Sequence, residues 1–113
     1  MQAASDRERK KGTADLLVLS LLSERQRHGY EIAKLIAERS GGELVFHVAS
    51  LYTLLKRLER RGVIAGRWVE APGERRRRFY RLTPAGRKLL VREQRDWEVF
   101  VRSVAAITHP EPA

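Results

Sequence analysis

The sequence changes its hydrophobic period sharply at Gly62, and that change limits the folds open to it. Before it, Leu51, Leu54, Leu55 and Leu58 recur at helical spacing, so a helix is expected over about 49–61 with Gly62 as its stop. After it, residues 64–70 and 76–82 are short runs rich in Trp, Val, Phe and Tyr. The turn signal Ala71-Pro72-Gly73-Glu74 lies between them, so the two runs read as a β-hairpin. Thr83-Pro84 then matches a helix N-cap followed by proline in the first turn, and a long helix should follow.

Two further helices precede this unit. Leu16, Leu17, Leu19 and Leu21 are too many for a narrow stripe, so a helix starting at Thr13 and ending near Leu22 should be largely buried. Residues 29–40 carry Tyr30, Ala33, Ile36 and Ala37 on one side, and Gly41-Gly42 ends them. The expected order is helix, helix, helix, hairpin, long helix. The fold class is mainly α with a β-hairpin: a winged helix-turn-helix plus one long C-terminal dimerisation helix. Four segments follow: a basic, flexible arm over 1–12, the winged unit over 13–83, the last helix over 84–107, and a loose tail over 108–113.

Charge is unevenly placed. Residues 54–88 hold 12 basic and 3 acidic side chains, whereas residues 1–53 hold 8 and 7 and residues 89–113 hold 3 and 4. The whole excess of +9 therefore sits in one central third of a folded domain, which reads as a face for an anionic partner, most often nucleic acid. A solvated surface is the plainer alternative. A membrane surface calls for a basic amphipathic helix with exposed apolar residues, and this basic segment is partly strand-like.

On the third helix the face opposite the leucines carries Ala49, Thr53, Lys56 and Arg60, with Ser50 and Arg57 beside them. Short side chains at the start let a helix approach base edges in a major groove, and Lys or Arg further on can reach guanine or phosphate oxygens. Many helices have a charged outer face, so this pattern alone does not decide. Arg75, Arg76, Arg77 and Arg78 follow the hairpin turn directly. Four consecutive like charges repel unless an anion neutralises them, and arginines at a wing tip suit a narrow minor groove. Charged edge strands also serve to block aggregation.

Three motifs occur in order: His28-Gly29-Tyr30-Glu31-Ile32; Ser50-Leu51-Tyr52-Thr53-Leu54-Leu55-Lys56-Arg57-Leu58-Glu59; and residues 76–87, from Arg76-Arg77-Arg78-Phe79-Tyr80 through Thr83-Pro84-Ala85-Gly86-Arg87. Together they resemble the PadR family of bacterial transcriptional regulators, over about residues 10–105. The resemblance implies a cytoplasmic homodimer, usually a repressor, that binds an inverted repeat, often with ATGT and ACAT halves. It implies that Tyr30 and Tyr52 touch phosphates, that Ser50, Thr53 and Lys56 enter the major groove, and that the wing arginines enter the minor groove. The chain departs from the family at Ala49-Ser50-Leu51-Tyr52-Thr53, where Gly-Thr-Leu-Tyr-Pro is common, and at Glu74, where Gly is common.

The last helix points to a dimer by its own pattern. Leu90, Trp97, Val101 and Val104 form one apolar stripe, and Leu89, Phe100 and Ile107 form another. Two stripes need two partners, one of them the protomer's own first helix and the other a second protomer, with Leu16, Leu90, Trp97, Phe100, Val101 and Val104 expected at the interface between protomers. The resemblance further implies that a flat aromatic effector can stack on Trp97 between two such helices, with Asp96 beside it; Trp97 packing the interface is the alternative. No catalytic constellation, cofactor motif or metal-ligand spacing is visible among His28, His47 and His109, and no enzyme activity is expected. There is no Cys, no apolar run of membrane length and no apolar leader, so the expected compartment is the cytoplasm. A winged-helix adaptor for protein partners is the alternative function; it would show an exposed apolar patch in place of an arginine wing.

Overall fold

A computed structural model describes residues 6–70 and 72–112, with the side chains of 6–11 outside the description. The elements are α1 (Asp6–Glu24), β1 (Arg27–His28), α2 (Gly29–Arg39), α3 (Val48–Arg60), β2 (Ile64–Val69), β3 (Arg77–Leu82) and α4 (Pro84–Thr108). The architecture is a winged helix with a long C-terminal helix, as the change of period implies.

The core forms where the helical leucines meet the sheet. Leu51, Leu54, Leu55 and Leu58 of α3 are buried against Val18, Leu19 and Leu22 of α1, Ile32 and Ile36 of α2, and Ile64 and Tyr80 of the sheet. Gly62 ends α3 at φ +75°, a conformation that L side chains rarely adopt. There the Gly62 N–H donates to Glu59 O at 3.0 Å and the Val63 N–H to Leu58 O at 3.2 Å, closing the helix in a Schellman motif. Gly41 and Gly42 close α2 on Glu38 O and Ala37 O in the same way.

The sheet holds one strand more than the hairpin. Its order is β1-β3-β2, all antiparallel, with Arg27 opposite Tyr80 and His28 opposite Phe79 on one side of β3, and Gly66 opposite Tyr80 on the other. β1 is only two residues long, too short for any alternation to be seen. It is anchored by Arg27, which is almost wholly buried with each guanidinium nitrogen bonded. Arg27 Nε donates to Leu21 O at 3.1 Å, one terminal nitrogen to Glu31 at 3.0 Å and the other to Glu24 at 2.6 Å.

Three expectations are corrected. The first helix starts at Asp6, so Thr13 is not a cap and residues 6–12 are not a separate arm; residues 1–5 lie outside the described residues. Arg, Glu and Lys are good helix formers, and they carry the helix through Gly12. Leu90, expected at a dimer interface, is buried with Leu89 in the protomer's own core. The last helix extends one residue further than expected, to Thr108, and beyond Leu90 it leaves the body of a molecule measuring 64 × 29 × 24 Å.

Candidate nucleic-acid interface

The outer face of α3 is open. Ala49, Ser50, Tyr52, Thr53, Lys56 and Arg60 are exposed, while the leucines of the same helix face the core. Thr53 Oγ1 donates back to Ala49 O at 3.1 Å, one turn earlier in the helix. His47 occupies the N-cap without a side-chain cap bond, so the first N–H groups of α3 face outward uncapped by its imidazole.

Beside α3 lies the start of α2. His28 caps it: Nδ1 accepts from the Glu31 N–H at 3.1 Å. A backbone N–H can only donate, so Nδ1 is unprotonated and the neutral ring carries its proton on Nε2. Arg77 approaches that Nε2 at 2.9 Å, donor against donor, so this contact does not hold the arginine. Burial, and then the charge of Arg77, keep His28 below its ordinary 6.5. Gly29 lets the ring of Tyr52 come close, since a Cβ there would sit 3.0 Å from its Cε1. The ring of Tyr52 thus seats against the first residue of α2, with Tyr30 exposed alongside at 64%.

The wing supplies the remaining wall. Arg75, Arg76 and Arg77 are exposed, and Arg76 stacks over Trp68 with its guanidinium carbon 4.5 Å from the ring centroid. A cleft of about 430 Å³ runs between His28, Tyr30 and Tyr52 on one side and these arginines on the other. It combines cations, aromatic edges and a helix start, a chemistry that suits phosphate.

Two of the expected contacts are turned inward. Arg57 makes a two-pronged pair with Asp15 of α1, at 2.6 and 3.3 Å, and Arg61 approaches the same carboxylate at 3.6 Å. Asp15 is buried, so this pair ties α3 to α1 and takes the Arg57 guanidinium off the outer face. Arg78 bonds Glu59 of α3 at 2.5 Å and lies flat over Gly66, where a Cβ would come within 2.7 Å of its Nε. It braces the wing against α3. Reading either arginine as a direct DNA contact is revised accordingly. Asp15 and the bracing role of Glu59 were not singled out in the sequence. The first pairs with a residue 42 positions away, beyond any local pattern.

A second feature lies away from this face. Trp97, Phe100, Val101 and Val104 of α4 are all exposed, with Trp97 and Phe100 rings 5.8 Å apart. Trp97 and Phe100 border an open groove of about 840 Å³ whose other walls are Leu16 and Leu17 of α1 and Val45 and Phe46 of the α2–α3 loop. Glu43, Glu93 and Asp96 stand at its rim. Among the described residues, no three His, Asp or Glu side chains gather as a metal site, and no helix is long and apolar enough to cross a membrane.

Comparison with known proteins finds the same arrangement elsewhere. Residues 18–92 match the sequence profile of the transcriptional regulator PadR-like family. A transcriptional regulator from Clostridium thermocellum superposes with a TM-score of 0.78 at 33% identity, covering 90% of this chain and 95% of that one. A PadR family regulator from Eggerthella lenta gives 0.77 at 31% identity, over 92% and 88%. An uncharacterised protein from Lysinibacillus sphaericus is 31% identical over 87 residues, 77% of this chain and 80% of that protein.

Proposed function

The chain belongs to the PadR-like family of DNA-binding transcriptional regulators, and from that premise we propose that it is a homodimeric repressor of an inverted-repeat operator. The observation that carries this reading is the single continuous face formed by α3, the start of α2 and the arginine wing. Lys56 and Arg60 of the helix and Arg75, Arg76 and Arg77 of the wing remain exposed there after the internal pairs are formed. In this reading α3 enters the major groove, Tyr30 and Tyr52 contact phosphates, and the wing arginines follow the backbone into the minor groove.

Dimerisation would be through α4. Its exposed Trp97, Phe100, Val101 and Val104 would lie against the same helix of the partner, with Leu16 at the edge of the contact. Each dimer then presents two α3 helices, which suits half-sites about one DNA turn apart. The groove beside Trp97 and Asp96, apolar within and acidic at its rim, would take a flat aromatic cation as effector. Titrating planar cationic dyes against Trp fluorescence tests that part; no quenching beyond inner-filter effects refutes it. The compartment in this reading is the cytoplasm, where the DNA is.

Fluorescence anisotropy tests the main reading. A duplex with ATGT and ACAT halves and a scrambled duplex are titrated across a salt series. A dimer making about 6–10 phosphate contacts gives a log–log salt slope steeper than about −5. A preference of about 100-fold for the repeat marks a specific regulator. Steep salt dependence without preference refutes the ATGT/ACAT operator and leaves DNA binding. No binding at low salt refutes the reading and favours a protein-binding adaptor.

A further inference from the structure

The exposed stripe of α3 is divided by chemistry along its length. Ala49, Thr53, Lys56 and Arg60 follow one another at helical spacing, all exposed. The cations are confined to the second half. The first half offers the methyl of Ala49, the half-exposed isopropyl of Val48 just before it, and Thr53. Thr53 is polar by name, yet its hydroxyl is folded back onto Ala49 O at 3.1 Å. The proton is used within the helix, and the oxygen lies against the backbone. The methyl on the other branch of Cβ is the group left for a partner.

Resting on the DNA-binding reading above, we propose that Thr53, together with Ala49, reads the C5 methyl of a thymine by apolar contact, while Ser50 and Lys56 supply the hydrogen-bonding and charged contacts around it. The major groove presents that methyl on thymine alone among the four bases, and short apolar side chains are its natural match. The N-terminal part of a recognition helix is also the part that reaches base edges, so the hydrocarbon is in the place where it can discriminate. A hydroxyl reading would favour adenine or cytosine instead, whose exocyclic amines would donate to Oγ1.

The test begins with selection of duplexes from a random pool by the full-length protein. In the tightest duplex each thymine is then replaced by deoxyuridine, singly and in both half-sites, and affinity is read by anisotropy. One thymine per half-site should lose about fourfold on removal of its methyl, and about fifteenfold when both halves are changed. Thr53→Val keeps a methyl in place and removes the oxygen; it should keep the parent's preference for thymine over deoxyuridine. Thr53→Ser keeps the hydroxyl and removes the methyl; it should bind more weakly and distinguish thymine from deoxyuridine less, the Ala49 contact alone remaining. Position 53 is exposed, so both variants fold. Enrichment of a sequence with no thymine sensitive to demethylation overturns the proposal, as does loss of affinity in Thr53→Val with retention in Thr53→Ser. A pool from which no sequence is enriched overturns the operator reading itself, and this proposal with it.

Discussion

Replacing Gly86 by Ala should destabilise the protein, although it puts a better helix former into a helix. Gly86 lies in the first turn of α4, where Thr83 Oγ1 accepts its N–H at 3.1 Å. The same hydroxyl donates to Gly62 O at 2.7 Å, and the Thr83 N–H donates to Val63 O at 3.2 Å. The turn after α3 is thereby pressed onto the start of α4. A Cβ on residue 86 would stand 2.0 Å from Val63 O, 2.8 Å from Leu82 Cδ1 and 3.0 Å from the Val63 carbonyl carbon. The obstacle is backbone, which cannot swing aside as a side chain can. Overpacking of this kind costs about 3 kcal/mol at the upper end of its usual range. The gain in helix propensity is about 1 kcal/mol. The net loss is about 2 kcal/mol, or roughly 8 °C in Tm for a chain of this size. Gly12, inside α1, has nothing within 4 Å of the same Cβ position, so Gly12→Ala should raise stability by about 1 kcal/mol. Urea denaturation of the three proteins at one protein concentration measures both changes, the fixed concentration removing any effect of dimerisation. Equal or greater stability in Gly86→Ala would refute the reasoning.

Other outcomes follow from the site. Glu59→Gln releases Arg78 from its brace, so DNA should bind more tightly and with a steeper salt slope, by up to about 0.9 per subunit; an unchanged slope means Arg78 stays with α3. His28 is held below its ordinary 6.5, so the unfolded chain takes up the proton first. Its contribution to stability is complete above pH 6.5 and is lost as pH falls through the lowered folded value. His28→Asn can still accept from the Glu31 N–H, and denaturation midpoints measured across pH should show that acid-side decline flattened. Phe100→Glu puts a charge on the exposed apolar side of α4 and should give a monomer by light scattering, with the circular dichroism of the winged unit retained.

How much could be read beforehand depended on the range of the signal. The leucines of α3, the Gly62 stop and the Thr83-Pro84 start are local, and each lies in the structure where its spacing places it. β1 was invisible because two residues show no period, and its pairing depends on β3 some fifty positions later. The two stripes expected on α4 are not separated by face in the structure, because a helical wheel does not say where the body ends. Leu89 and Leu90 went to the core, and the side chains from Trp97 onward stayed outside. The arginines show the same limit. All of Arg57, Arg60, Arg77 and Arg78 look alike in a basic segment, and only the positions of Asp15 and Glu59 separate the two bound inward from the two left outward.

The bracing of Thr83 against Gly62 and Val63 has a mechanical consequence. α3 ends, and the long helix begins, at one joint, where Thr83 is hydrogen-bonded to Gly62 O, Val63 O and the Gly86 N–H. A helix of 25 residues is a lever about 37 Å long. In the proposed dimer, a tilt of about 5° between the two levers sweeps the far end through about 3 Å, close to the ~3.4 Å rise of one base pair. Because the joint is stiff, the winged unit turns with its lever. A change too small to break any contact between the subunits can therefore shift the two α3 helices by a whole step of the operator.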